Sequence, residues 1–113
     1  MTTAPRRFAE TYVSTVNRGA YNELAALFAP DAVFLAPERR EFHGRDAIGA
    51  FYESFLVTIR PRVRIASYVE QDNHCVFELE AAINGSDDYQ LGAIDHAVLD
   101  EEGLVGRFTV FTK

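Results

Sequence analysis

Apolar positions in the first part of the chain recur at helical spacing. Within residues 5–18, Phe8, Tyr12 and Val16 lie four residues apart, which places them on one face of a helix. Gly19 follows as a residue that can adopt the left-handed conformation in which many helices end. The pattern therefore predicts a first helix with one buried aromatic and aliphatic face.

Two further helices and a strand are predicted between residues 21 and 60. Residues 21–28 are predicted to form a short helix, and residues 32–36 a strand that Pro37 closes. The polar residues 38–41 are interpreted as a loop. A third helix is predicted within residues 43–60. Its core face consists of Ile48, Phe51, Tyr52 and Phe55.

The second half of the chain alternates in the manner of β-strands. Four strands are predicted, within residues 63–69, 75–83, 89–99 and 104–112, and they are separated by turn-forming polar residues. Helices followed by strands indicate an α+β domain. A curved, mainly antiparallel sheet wrapped around the three helices would leave a cavity between the two layers.

Length and charge limit the range of functions. A chain of 113 residues with 48% hydrophobic residues is expected to be one globular domain, spanning residues 1–113. The net charge of −6 argues against nucleic-acid and anionic-membrane partners, which bind basic surfaces. No apolar stretch approaches the length of a membrane span or resembles a signal peptide, so a cytoplasmic protein is expected.

Asp95 is the residue whose chemistry fits its surroundings least. It lies in the middle of the apolar run of residues 91–99, which is predicted to be a strand with a buried face. A buried acid is costly unless it is hydrogen-bonded or kept neutral by a raised pKa. Because strongly shifted acids concentrate at functional sites, Asp95 is the first candidate for a functional group.

Metal and cofactor chemistry is not indicated. The three histidines, His43, His74 and His96, have no metal-ligand spacing with acids or with the single cysteine, Cys75. His96 follows Asp95 directly and should point to the opposite face of its strand, as a surface or interface residue. No phosphate-binding glycine loop is present, so no cofactor is expected.

The order of these features resembles a known family. The resemblance is carried by the helix that ends at Gly19, by residues 28–32, 42–48 and 51–52, and by the strand and turn of residues 95–103. Together they are similar to the ketosteroid isomerase and SnoaL-like branch of the NTF2-like superfamily. The resemblance implies a cone-like fold, in which three N-terminal helices pack in the concave face of the sheet beside an internal pocket.

The same resemblance implies roles for several polar residues. Ketosteroid isomerases use an aspartate base and an oxyanion hole formed by a tyrosine and a protonated aspartic acid. Tyr12 corresponds to that tyrosine, Asp95 to the protonated acid, and Tyr52 to a tyrosine that supports the first by hydrogen bonding. Ala36 stands at the position of the base, and alanine cannot move a proton. The nearest acid that could point the same way is Glu38.

The walls of the expected pocket follow from the same comparison. An apolar cavity with two convergent donors suits a small hydrophobic molecule that bears a carbonyl or phenol group. The residues expected to line it, besides the polar groups, are Val16, Phe28, Phe34, Ala36, Glu38, Phe51, Phe55, Ala93, Ala97 and Phe108.

Three functions remain open at this point. The first is an isomerase or cyclase in which Tyr12 and Asp95 stabilise an oxyanion without the usual base. The second is a non-catalytic protein that binds the same kind of ligand. The third is a scaffold that binds a partner through the outer sheet face. A homodimer is expected from the resemblance alone.

Overall fold

The computed structural model describes residues 2–112. Its helices are α1 (Ala4–Asn17), a 3₁₀ helix (Tyr21–Leu27) and α2 (Arg45–Ile59). Its strands are β1 (Phe28–Ala36), β2 (Arg40–His43), β3 (Arg62–Gln71), β4 (His74–Ala82), β5 (Gln90–Leu99) and β6 (Val105–Phe111). No helix within the described residues is long and apolar enough to cross a membrane.

The six strands form one mixed sheet in the order β2-β1-β6-β5-β4-β3. The pairing of β1 with β6 is parallel, and the other four pairings are antiparallel. Register shifts interrupt four of the five ladders, and irregularities of this kind bend and twist a sheet. The helices pack on the concave face. The predicted α+β class and curved sheet are therefore confirmed.

Helix α1 ends at the glycine that its sequence predicts, and a threonine caps its first turn. The side chain of Thr3 caps the first turn by accepting a hydrogen bond of 3.2 Å from the backbone N–H of Arg6. Gly19 follows the last turn with φ of +72°, a conformation that costs other residues energy. The buried face includes the predicted residues Phe8, Tyr12 and Val16.

The prediction of a loop at residues 38–41 is confirmed for residues 38–39, which form a turn, and wrong for residues 40–41, which belong to a strand. Arg40–His43 is strand β2, which pairs with β1 in an antiparallel hairpin. The hairpin turns through Glu38 and Arg39, whose φ angles are 66° and 62°. Because glycine and asparagine usually occupy such left-handed positions, a Glu-Arg pair gave no hairpin signal in the sequence.

The predicted second helix differs from the structure in type and in extent. It is a 3₁₀ helix that ends at Leu27, and strand β1 begins immediately at Phe28. The first predicted strand, residues 32–36, is therefore only the second half of β1.

An aromatic cluster connects α1 to the sheet. Phe108 of β6 is fully buried at its centre. Its ring centroid lies 5.4 Å from that of Phe34 in a stacked arrangement, and 5.7 Å from those of Tyr12 and Phe28. The ring of Phe8 meets it edge-on at 6.0 Å. This cluster closes one end of the space between the helices and the sheet.

Replacing Phe108 with alanine should therefore destabilise the fold strongly. We expect the free energy of unfolding to fall by about 3–5 kcal/mol, because the ring fills a closed part of the core. Urea denaturation would measure the change. Phe111→Ala is the matched control in the same strand, since Phe111 is 54% exposed, and its loss should be about 1 kcal/mol or less. Similar losses in the two variants would contradict this view of the core.

Candidate functional site

An apolar cavity of about 370 Å³ lies between the helices and the concave face of the sheet. Its polar side chains fall into two groups that differ in burial. Tyr12, Tyr52 and Asp95 are 6%, 3% and 2% exposed and form the inner part. Glu38, Arg40 and Thr112 are exposed and lie at the mouth. The volume is within the usual range for small-molecule sites.

Asp95 is the buried acid that the sequence singled out. It lies on the inward face of β5, paired with Phe77 of β4 and Val110 of β6. Its carboxyl group makes no hydrogen bond to another described residue and opens onto the cavity. Burial raises the pKa of this carboxyl to about 8, because removal from water disfavours the charged form. At neutral pH the group is therefore mainly the neutral acid, which can donate a hydrogen bond.

Two tyrosine hydroxyls accompany this carboxyl. Tyr12 projects from α1 and Tyr52 from α2, and their hydroxyl oxygens lie 3.0 Å apart. Burial raises the pKa of both phenols, and the nearby carboxyl of Asp95 raises them further. Both hydroxyls therefore stay protonated and remain donors over the whole physiological range of pH.

Among the described residues, one cationic side chain lies at the mouth of the cavity, that of Arg40. The Nε–H of Arg40 donates a hydrogen bond of 3.2 Å to the carbonyl oxygen of Pro37. The guanidinium carbon lies 5.6 Å from the ring centroid of Phe51, a cation–π distance. The ring of Phe51 is itself stacked on Phe55 at 5.7 Å. Arg40 is thus held against an aromatic wall.

A second depression, of about 530 Å³, lies on the opposite face of the sheet. It is larger and more open, and it contains His74 and His96, whose ring nitrogens are 3.0 Å apart. Burial lowers the pKa of His96, and His74 and Arg107 lower it further. Within residues 2–112 no group of three or more potential ligands is placed to hold a metal ion. The inner cavity is the better candidate site, because apolar surface and three buried polar side chains line it together.

Residues 9–108 match the model of the SnoaL-like domain. The chain belongs to the SnoaL-like domain family. This confirms the resemblance to the SnoaL-like branch of the NTF2-like superfamily. Among curated proteins, none matches the sequence with significant similarity.

Several solved structures share the fold of this SnoaL-like domain. RV0760c from Mycobacterium tuberculosis superposes with a TM-score of 0.83 at 15% identity, over 100% of this chain and 94% of that protein. The same protein in complex with estradiol-17beta-hemisuccinate gives a TM-score of 0.81 at 14% identity, over 99% of this chain and 95% of that protein. A computationally designed 17-OHP binder gives a TM-score of 0.81 at 15% identity, over 100% of this chain and 93% of the binder. A candidate polyketide cyclase from Sinorhizobium meliloti gives a TM-score of 0.77 at 13% identity, over 92% of this chain and 93% of the cyclase. Identities this low establish the fold alone.

The structure places most of the sequence-predicted residues of the SnoaL-like domain around the inner cavity. All three polar candidates, Tyr12, Tyr52 and Asp95, line it. The predicted wall residues that also line it are Val16, Phe34, Ala36, Glu38, Phe51, Phe55 and Ala93. Whether any of them contacts a ligand remains a prediction.

Three predicted wall residues do not line the cavity. Phe28 and Phe108 are packed into the aromatic cluster, where their ring centroids are 5.7 Å apart. Ala97 pairs with Phe108 and with Cys75, whose thiol contacts the carbonyl oxygen of Pro5 in α1. The alternation of a strand gives the face on which a residue lies but not its position along the cone. The three residues lie on the same concave face of the sheet as the cavity wall, but at the end that α1 closes.

Other wall residues of this SnoaL-like domain were not singled out from the sequence. They include Arg40, Leu56, Ile59, Leu79, Ile83 and Val110. Leu79 and Val110 follow Phe77 and Phe108 by two residues and therefore lie on the same face of their strands. Strand periodicity could have found them. Arg40 was hidden because strand β2 was interpreted as a loop.

The raised pKa of Asp95 predicts a pH dependence of stability. Between an unfolded value of about 3.9 and the folded value of about 8, the folded state holds one proton more than the unfolded state. Stability should therefore fall as pH rises through this window, by up to about 1.4 kcal/mol per unit. In Asp95→Asn this contribution is absent, so the variant should lose less stability between pH 5 and pH 8.

Urea denaturation at both pH values measures the difference. The control is Asp31→Asn, which changes an exposed aspartate and should keep the wild-type pH dependence. Parallel stability profiles for the wild type and Asp95→Asn would mean that Asp95 ionises normally in the folded state.

Proposed function

We propose that this SnoaL-like domain binds a small hydrophobic molecule by its carbonyl or phenol oxygen, through Tyr12 and Asp95. The observation that supports the proposal is the carboxyl of Asp95, which is 2% exposed and faces the cavity without a hydrogen bond to any described residue. If the acid only satisfied a polar network in the core, it would be bonded to Tyr12 or Tyr52. A buried donor without a protein partner is instead available to a ligand.

The hydroxyl groups of the two tyrosines form a hydrogen-bonded pair in the cavity that Asp95 also lines. When Tyr52 donates to the hydroxyl oxygen of Tyr12, the O–H of Tyr12 is free to donate to a ligand. Tyr12 and Asp95 then provide two neutral donors to one oxygen atom. Inside an apolar cavity such donors interact strongly with developing negative charge.

Catalysis of the isomerase or cyclase type would use these donors to stabilise an oxyanion. Loss of one such donor typically lowers the rate by about 10²–10³. The position of the family's base is occupied by Ala36, so in this reading the proton is moved by the substrate, by water or by a residue not yet identified. Isomerisation, cyclisation and hydration are all compatible with this site.

Two structural relatives support the class of ligand. RV0760c has been crystallised with estradiol-17beta-hemisuccinate, and the designed relative binds 17-OHP. Both have the same fold as this chain. They are consistent with a flat apolar ligand in the cavity.

A non-catalytic binding protein is the alternative, and Ala36 favours it because a carboxylate is missing where the family has its base. Both readings require the same donors, and only turnover distinguishes them. A homodimer through the outer sheet face and a cytoplasmic location remain predictions from the sequence.

Binding of 2-naphthol tests the proposed site. We expect the wild type to bind it and Asp95→Leu to bind it about tenfold more weakly or worse, because the variant removes a donor to the phenolic oxygen. Tyr12→Phe should also weaken binding, and Phe111→Ala, on the outer face, should not. Fluorescence titration gives the dissociation constants. Wild-type affinity in Asp95→Leu, or no binding by the wild type, would overturn the proposal.

Turnover then separates the two readings. Once binding is established, enone isomerisation and cyclisation can be assayed with the wild type, Tyr12→Phe and Asp95→Leu. Turnover that both substitutions reduce would identify an enzyme. Binding without turnover in the wild type would favour the non-catalytic reading.

A further inference from the structure

One row of side chains crosses the concave face from strand β2 to strand β5. Arg40 pairs with Ala36, and Val110 pairs with Asp95. The parallel register of β1 and β6 places Ala36 beside Val110. Directly paired residues point to the same side of a sheet, and all four residues line the cavity. The row therefore runs along one wall of the candidate site.

The two ends of this row differ in chemistry. Asp95 provides a neutral donor at the buried end, and Arg40 provides a positive charge at the mouth. Their Cα atoms are three strand spacings apart, or about 14 Å along the sheet. Between them lie only the methyl group of Ala36 and the isopropyl group of Val110. A flat apolar molecule that lies across these two side chains reaches both polar ends.

Arg40 lacks an acidic partner among the described residues. Its Nε–H is used by the carbonyl oxygen of Pro37, and the remaining N–H groups make no hydrogen bond within residues 2–112. The carboxylate of Glu38 stands at the same mouth but forms no ion pair with Arg40. Of the nine other arginines of the described chain, four have a carboxylate within 4.0 Å, namely Arg6, Arg18, Arg62 and Arg64. Arg40 differs from the remaining five because it lines the cavity.

We propose that Arg40 forms an anion subsite at the mouth of the cavity. The ligand is then a flat apolar molecule with a carbonyl or phenol oxygen at one end and a carboxylate at the other. This inference rests on the proposed function, because the Tyr12 and Asp95 end is the site proposed there. A guanidinium presents paired N–H groups whose geometry matches a planar carboxylate.

The negative net charge of the chain makes carboxylate binding depend on direct contact with Arg40. The chain has a net charge of −6, so its overall field repels an anionic ligand. Attraction of a carboxylate therefore depends on local contact with Arg40. Removal of the neighbouring negative charge in Glu38→Gln should strengthen carboxylate binding, whereas removal of the positive charge in Arg40→Gln should weaken it.

The test compares 6-hydroxy-2-naphthoic acid with its methyl ester, which has nearly the same shape and no charge. For the wild type at pH 7 we expect the ratio of acid affinity to ester affinity to be about tenfold higher than for Arg40→Gln. The ester carries no charge, so it should lose less affinity than the acid in Arg40→Gln, and its binding also shows that the variant is folded. Arg39→Gln is the matched control, because Arg39 is in the same turn but does not line the cavity.

Each other outcome contradicts the inference. An unchanged ratio in Arg40→Gln means that Arg40 does not bind the carboxylate. In that case the proposed function still stands if binding of the ester depends on Asp95. An equal loss of the ratio in Arg39→Gln would indicate a general charge effect rather than a subsite. If neither compound binds to the wild type, the inference and the proposed function both fail.

Discussion

The site depends on the burial of one carboxyl group without a partner from the protein. Asp95 is 2% exposed, and no cationic side chain of the described chain forms an ion pair with it. Arg40, the cationic side chain that lines the cavity within residues 2–112, lies three strands away at the mouth. Because ionisation would leave an unpaired charge in apolar surroundings, the acid is mainly neutral at physiological pH. Burial of this carboxyl costs folding free energy, and the same burial keeps the group protonated and able to donate a hydrogen bond.

The fold creates this environment by closing only one end of the cone. At that end α1 and the aromatic cluster around Phe108 fill the space between the layers. Towards the other end the sheet curves away, and the side chains on its concave face line a cavity. Strand β5 shows both situations, since Ala97 is buried in the core while Ala93 borders the cavity. A single strand face thus supplies core at one end and a candidate binding surface at the other.

Sequence periodicity was sufficient to predict most elements, and the family resemblance supplied the inward position of Asp95. Alternation could not give the depth of a residue along the cone, so Phe28 and Phe108 were placed in the cavity wall rather than in the core. Strand β2 was missed because Glu38 and Arg39 adopt a turn conformation that their side chains do not signal. Arg40 was missed with it. The hydrophobic layer was therefore more predictable than the polar mouth, where local backbone geometry decides what points inward.

The central claim is that Asp95 is protonated in the folded protein at neutral pH. Carbon-13 NMR of aspartate-labelled protein follows each carboxyl through its titration, and the resonance of Asp95 is the one that is absent from Asp95→Asn. The account predicts that this resonance titrates near pH 8. A titration near pH 4, the ordinary range for aspartate, would contradict it, because the carboxylate would then be charged in the cavity and unable to donate to a ligand.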